Sequence, residues 1–300
     1  MRAILVVALA ATAAAGGGLG ALEFWPIAPD AGIAPGLQGD PGRGAYVARM
    51  AGCIACHSDP AQGGAPLAGG PALDTPFGRF YAPNITPDPE HGVGGWSLED
   101  FAAAVRHGVS PQGRPYYPAF PYVFYTKLSD QDVADLWAAI WTVPPAASPS
   151  RDHDLAFPFD RRAALKLWRG LFFDPGAFEP DPARSVAWNR GAYIVEGPGH
   201  CGACHTPRNA LGARSAAEAL QGAGGLPGGG KSAPITAEAL KGSGWTRNDL
   251  VFALRTGITP EGDSLGGLMG EVVGEGTAFL SEADLMAIAT YLLPDESEPR

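Results

Sequence analysis

Twice along the chain, a polar pair three residues apart opens a run whose apolar residues fall at helical spacing. Ser97-x-x-Asp100 introduces Leu98, Phe101 and Val105, and Gly108 closes the run; Thr246-x-x-Asp249 introduces Leu250 and Leu254, and Gly257 closes it. A hydroxyl residue with an acid three positions on is the signature of a capping box, and glycine is the usual stop, so each run predicts one amphipathic helix. Ser129-x-x-Asp132 and Ser281-x-x-Asp284 open a further helix in each half in the same way. Asp40-Pro41 and Ser185 suit the starts of two more, with Pro41 at the first helical position. The chain carries 42 Gly and 29 Pro, so much of it should be turns and loops and the helices few and short.

The pattern repeats because the sequence repeats. Arg43-Gly44-Ala45-Tyr46 matches Arg190-Gly191-Ala192-Tyr193. Ala82-Pro83-Asn84-Ile85-Thr86 resembles Ala233-Pro234-Ile235-Thr236, with one residue fewer, and Trp96 to Gly113 aligns without a gap to Trp245 to Gly262. Leu128-Ser129 and Asp132 pair with Leu280-Ser281 and Asp284. Matches of this kind at a fixed spacing mark an internal duplication.

Composition narrows the class. A chain of 300 residues with 46% apolar residues is globular and long enough for two cores. With a formal charge of −10, nucleic acid is not expected as a partner, because binding a polyanion needs a basic face. A basic protein surface suits the charge better. Met1 and Arg2, an uncharged run from Ala3 to Leu22 and the small residues Ala13 and Ala15 read as an export segment, 1–25, either cleaved or kept as a membrane anchor.

The four cysteines carry the chemistry. An exported chain with four Cys would ordinarily pair them as disulfides. Here they stand as Cys53-Ile54-Ala55-Cys56-His57 and Cys201-Gly202-Ala203-Cys204-His205, two copies of C-x-x-C-H. Two thiols one helical turn apart reach the two vinyl groups of one porphyrin, and the adjoining imidazole then lies under the iron. Two motifs, each with its His and no spare Cys, argue for two covalently bound haem c groups over a zinc knuckle or a redox disulfide, with His57 and His205 as proximal iron ligands. Each half then runs as a first helix into C-x-x-C-H, a long loop, a middle helix, a ligand loop and a last helix. That order is all-α: two tandem class I cytochrome c domains, at 38–146 and 185–294. A linker at 147–184 carries a helix near Asp160 to Phe173. Its aromatics should pack across the two domains and its basic residues Arg161, Arg162, Lys166 and Arg169 should be solvated; a docking face is the other reading.

Tyr81-Ala82-Pro83-Asn84-Ile85-Thr86-Pro87-Asp88-Pro89, Trp96-Ser97-Leu98-Glu99-Asp100-Phe101 and Gly202-Ala203-Cys204-His205-Thr206-Pro207-Arg208-Asn209 resemble the cytochrome c subunits of bacterial membrane-bound alcohol, aldehyde and gluconate dehydrogenases. The resemblance covers nearly the whole chain after the export segment. It implies a periplasmic electron-transfer subunit that takes electrons from a dehydrogenase and passes them to quinone or to another cytochrome. Those subunits commonly carry three haems, whereas this chain has two attachment motifs.

Methionine sulfur is the usual second axial ligand of a class I cytochrome. Met269 lies in the loop before the last helix, where the axial Met of the resembling family falls; Met286 reads as core, and Met50 precedes Cys53 on the attachment side. The ungapped repeat carries Met269 onto Phe120, so the first haem lacks a Met from its own domain. Its sixth position is open, water-bound or filled by another group, the nearest being Lys127, Tyr117, Tyr122 and His107. An open position keeps a second function in view, a dihaem enzyme of the peroxidase or thiosulfate dehydrogenase type. The leading expectation is electron transfer without catalysis of its own.

Overall fold

The computed structural model describes residue 27 and residues 32–295, so the export segment lies outside the described residues. In the first half, helix α1 spans Pro41–Met50, α2 Cys53–His57, α3 Leu98–His107, α4 Tyr122–Tyr125 and α5 Asp130–Ile140. Helix α6, Ala163–Phe172, lies in the linker. The second half has α7 at Val186–Glu196, α8 at Gly202–His205, α9 at Ala237–Gly242, α10 at Arg247–Thr256, α11 at Gly267–Glu275 and α12 at Glu282–Leu292. The helices are short, as expected, but not few.

The capping signals act as read. Ser97 and Thr246 each accept from the N–H of the acid three residues on, and that acid's side chain bonds back, completing both boxes. Gly108 (φ 59°) and Gly257 (φ 74°) end α3 and α10 in the left-handed conformation, which glycine adopts without steric cost. Asp40 and Ser185 cap α1 and α7.

The repeated Arg-Gly-Ala-Tyr segment packs the first helix of each half against the last. A Cβ on Gly44 would lie 1.8 Å from the Asp135 carbonyl oxygen, and one on Gly191 2.0 Å from that of Ala287. Glycine thus lets α1 press onto α5, and α7 onto α12, backbone to backbone. The preceding arginine locks each pair. Arg43 Nε donates to Asp135 at 2.7 Å, and Arg190 grips Asp284 with two bonds of 2.8 Å.

The buried core is continuous across the halves: Val47, Met50, Tyr125 and Leu128 share one cluster with Ile194, Val195, Leu280 and Leu285. Ion pairs join the halves at its rim, Arg49 to Glu275 at 3.0 Å and Lys127 to Glu196 at 3.3 Å.

The all-α expectation needs one correction. Strands β1 (Ala72–Thr75) and β2 (Gly78–Tyr81) form an antiparallel hairpin, and β3 (Asp154–Leu155), from the linker, pairs with β2. The linker is therefore built onto the first half. Its basic residues are not simply solvated: Arg162 donates to the Pro115 carbonyl at 2.6 Å and Arg169 to that of His107 at 2.5 Å. Of its aromatics, Trp168 does reach the second half, donating to the Leu211 carbonyl at 2.9 Å. Among the described residues no helix is long and apolar enough to cross a membrane.

Candidate haem-attachment sites

Both C-x-x-C-H segments form a short helix following a longer one, so α1 delivers α2 and α7 delivers α8. All four thiols are free, and no disulfide joins them. Burial pushes the thiols of Cys53 and Cys201 up to about 12 and raises those of Cys56 and Cys204 as well. Cys204 and Glu271 also raise Cys56, so the second motif and α11 stand close to the first motif.

The histidines are held alike. His57 Nδ1 lies 2.8 Å from the Pro83 carbonyl oxygen and His205 Nδ1 2.7 Å from that of Ala233. A carbonyl only accepts, so each Nδ1 carries the proton and each Nε2 keeps its lone pair. Burial lowers both imidazoles below the usual histidine range, the carbonyl bond opposing it, and so favours the neutral form that binds metal. Among the described residues no three His, Cys, Asp or Glu side chains converge to hold a metal ion, as a shared zinc site would need. Paired free thiols on one helical turn, followed by an imidazole of fixed tautomer, fit a c-type haem at each motif.

The loops below the motifs also correspond. Gly69 N–H donates to the His57 carbonyl and Gly222 N–H to that of His205. Leu67 (φ 59°) and Leu220 (φ 62°) share a left-handed backbone uncommon outside glycine. Their carbonyls accept from Ile85 and Ile235. That pairing aligns Pro83 with Ala233 rather than with Pro234.

Beyond the middle helices the register holds for one more turn. Tyr116 N–H bonds the Gly108 carbonyl at 2.8 Å, as Leu265 N–H bonds that of Gly257 at 2.6 Å. The halves then part. Phe120 sits in a turn ahead of the four-residue α4, whereas Met269 is the third residue of the nine-residue α11 and half-buried. Met269 was expected in a loop, but the chain turns at Gly267 (φ 55°) and then continues as a helix. Met50 is buried in the core and Met286 half-buried.

Of the polar residues considered opposite His57, Lys127 and Tyr117 are engaged elsewhere, while the buried Tyr122 hydroxyl accepts and donates no hydrogen bond among the described residues. The Lys127 ammonium pairs with Glu196, and the Tyr117 hydroxyl donates to the Phe159 carbonyl at 2.8 Å. Tyr122 packs edge-on to Phe173 under the Arg169 guanidinium, and the His107 ring faces Phe173 as well. Phe120 instead meets Tyr116 and Tyr125, with centroids 6.0 and 5.8 Å away. Tyr125 and His200 beside the motifs went unread in the sequence, because only the tertiary fold brings them there.

No family model matches the chain. It is 43% identical over 280 residues to a diheme c-type cytochrome of Cereibacter sphaeroides, covering 91% of this chain and 93% of that one. It is 40% identical over 291 residues to the gluconate 2-dehydrogenase cytochrome c subunit of Pantoea cypripedii, covering 91% of this chain and 63% of the subunit. With the cytochrome c subunit of the alcohol dehydrogenase (quinone) of Gluconacetobacter polyoxogenes it shares 39% identity over 258 residues, 83% of this chain and 54% of the subunit. The chain thus spans a little over half the length of the dehydrogenase subunits and nearly the full length of the first relative. With its doubled attachment motif, it belongs to the dihaem c-type cytochromes.

Proposed function

We propose that the chain is an exported cytochrome that carries single electrons from a dehydrogenase toward the respiratory chain. In this reading Cys53 and Cys56 hold one haem, Cys201 and Cys204 the other, His57 and His205 are the proximal ligands, and Met269 is the sulfur ligand of the second iron. Residues 38–146 and 185–294 are then two tandem class I cytochrome c domains joined by 147–184. The observation that carries the reading is the pair of matched imidazole–carbonyl bonds, His57 to Pro83 and His205 to Ala233, each one residue beyond a pair of free thiols.

A bound haem supplies one-electron oxidation and reduction at its iron. The protein's part is to anchor and orient. The thiols fix the ring on α2 and α8, and the carbonyl of Pro83 or Ala233 holds the imidazole with Nε2 outward. The net charge of −10 favours transient docking on a basic face.

The relatives named as dehydrogenase subunits support a dehydrogenase as donor. The acceptor is quinone or another cytochrome. The compartment is the periplasm, with 1–25 as a cleaved signal or an inner-membrane anchor. The comparisons do not favour a peroxidase or thiosulfate-oxidising enzyme. The test is reduction of the purified, haem-loaded chain by its cognate dehydrogenase. The chain alone should oxidise no alcohol, aldehyde or sugar, yet its haem spectrum should turn ferrous when dehydrogenase and substrate are added. Brisk turnover of hydrogen peroxide or thiosulfate by the isolated chain would contradict the reading.

A further inference from the structure

The two attachment segments meet head to head. Gly52, immediately before Cys53, has φ 67°, and a Cβ placed on it would lie 3.5 Å from Cε1 of His200, the residue immediately before Cys201. His200 is itself in the left-handed region, at φ 37°. Its Nδ1 donates to the Pro198 carbonyl at 2.8 Å, which fixes the ring on its own loop. From there the ring projects onto the first half. It stands edge-on to Tyr125, with centroids 5.7 Å apart, and to Phe124 at 6.2 Å.

Both aromatics are buried and tie the seam from either side. The Tyr125 hydroxyl donates to the carbonyl of Ala51, one residue before Gly52. The Phe124 ring lies 3.3 Å from where a Gly202 Cβ would be, and the Arg214 guanidinium covers it at 3.9 Å from the ring centroid. The start of α2 and the start of α8 are thus spaced by one imidazole and two rings.

We infer that this seam is the path for electrons between the two haems, and that His200 is the positioning residue that sets its width. The inference rests on the proposed attachment of haem at both motifs. The step it serves is balanced in itself: one electron leaves the ferrous iron of one haem and reduces the ferric iron of the other, and no bond forms or breaks. Through-protein electron transfer weakens steeply with the gap between centres and with voids along it. A side chain that keeps two attachment helices in packed contact therefore governs the rate without touching either iron. Protein interiors pack too tightly for such a seam to stay closed once its central ring is removed.

The experiment uses the full, haem-loaded chain, partly reduced, with electron exchange between the haems followed by NMR line broadening of the haem methyl resonances. His200→Ala should leave two covalent haems per chain and both midpoint potentials unchanged. It should slow exchange by about tenfold, because a void at the central ring takes the two attachment helices out of packed contact. His200→Phe, which refills the seam, should restore most of the rate. Where His200→Ala does not mature, Tyr125→Phe decides by the same measurement, because it removes only the bond to Ala51. Two haems with unchanged exchange would overturn the role of the seam. Slowing that comes only with a shifted potential would overturn it too, since driving force and not spacing would be the cause. A chain that matures without haem would instead sink the reading on which the inference rests.

Discussion

Tyr46 crosses from the first half of the chain to cap a helix in the second: its hydroxyl donates to the Asp284 carboxylate at 2.6 Å and accepts from the Ser281 N–H at 3.0 Å. In an ordinary capping box the acid three residues on would reach that N–H itself. Here a phenol hydroxyl bridges the two. The relation is reciprocal, because Tyr193 donates to Asp132 and accepts from the Ser129 N–H at 3.2 Å. Each half therefore supplies the tyrosine that completes the other's last helix, so both copies of Arg-Gly-Ala-Tyr and of Ser-x-x-Asp meet across the halves.

Tyr46→Phe keeps the ring and removes the bridge, leaving an N–H and a partly buried carboxylate short of a partner. The expected cost is about 1–3 kcal/mol of unfolding free energy, read from the denaturant midpoint. A midpoint equal to that of the parent chain would mean that the crossing carries no stability.

The acid side of the stability curve should report Asp284. Burial works to raise its carboxyl, but the Arg190 guanidinium and the Tyr46 hydroxyl outweigh burial and hold it below the usual carboxylate range. A lowered folded pKa means that this stabilisation is fully present above the unfolded value of about 3.9 and is lost as pH falls from there through the folded value. Asp284→Asn should lower stability at pH 7 and flatten its pH dependence below about pH 4. An unchanged acid limb would contradict the assignment.

The glycine of the duplicated segment should tolerate nothing larger. Gly44→Ala sets a methyl 1.8 Å from the Asp135 carbonyl oxygen, so α1 and α5 must move apart. We expect a loss of about 1–3 kcal/mol or more, the usual range for overpacking, seen as a lower Tm of the haem-loaded chain. The Gly191→Ala variant should behave alike against α12. Unchanged Tm values would show that the helix pairs are looser than described.

Much of this was legible in the sequence, and the boundary is physical. Capping boxes and left-handed glycine stops depend on neighbours within a few residues, so Ser97, Thr246, Gly108 and Gly257 act as the sequence predicts. The meaning of Arg-Gly-Ala-Tyr was not legible, because Tyr46 finds its partners more than two hundred residues away. Strand β3 is two residues long and pairs far upstream with Gly78 and Arg79, so no local pattern announces it. His200 resembles any loop histidine until the fold sets it against Gly52 and Tyr125.

Axial ligation supplies the next test. Met269→Ala should abolish the weak near-infrared band that sulfur ligation gives ferric haem. Phe120→Met should create a second such band and raise the potential of the first haem. That potential should otherwise lie on the order of 100 mV below the other's, within the roughly 0.8 V range that axial ligands span. Two sulfur bands in the unaltered chain would contradict the assignment of Phe120.

The most direct measurement is the intact mass of the chain after denaturation, expressed in a host that attaches c-type haem. Two covalent haems per chain are predicted, falling to one in Cys53→Ser with Cys56→Ser and to one in Cys201→Ser with Cys204→Ser. A folded chain of unmodified mass with four titratable thiols would contradict the account.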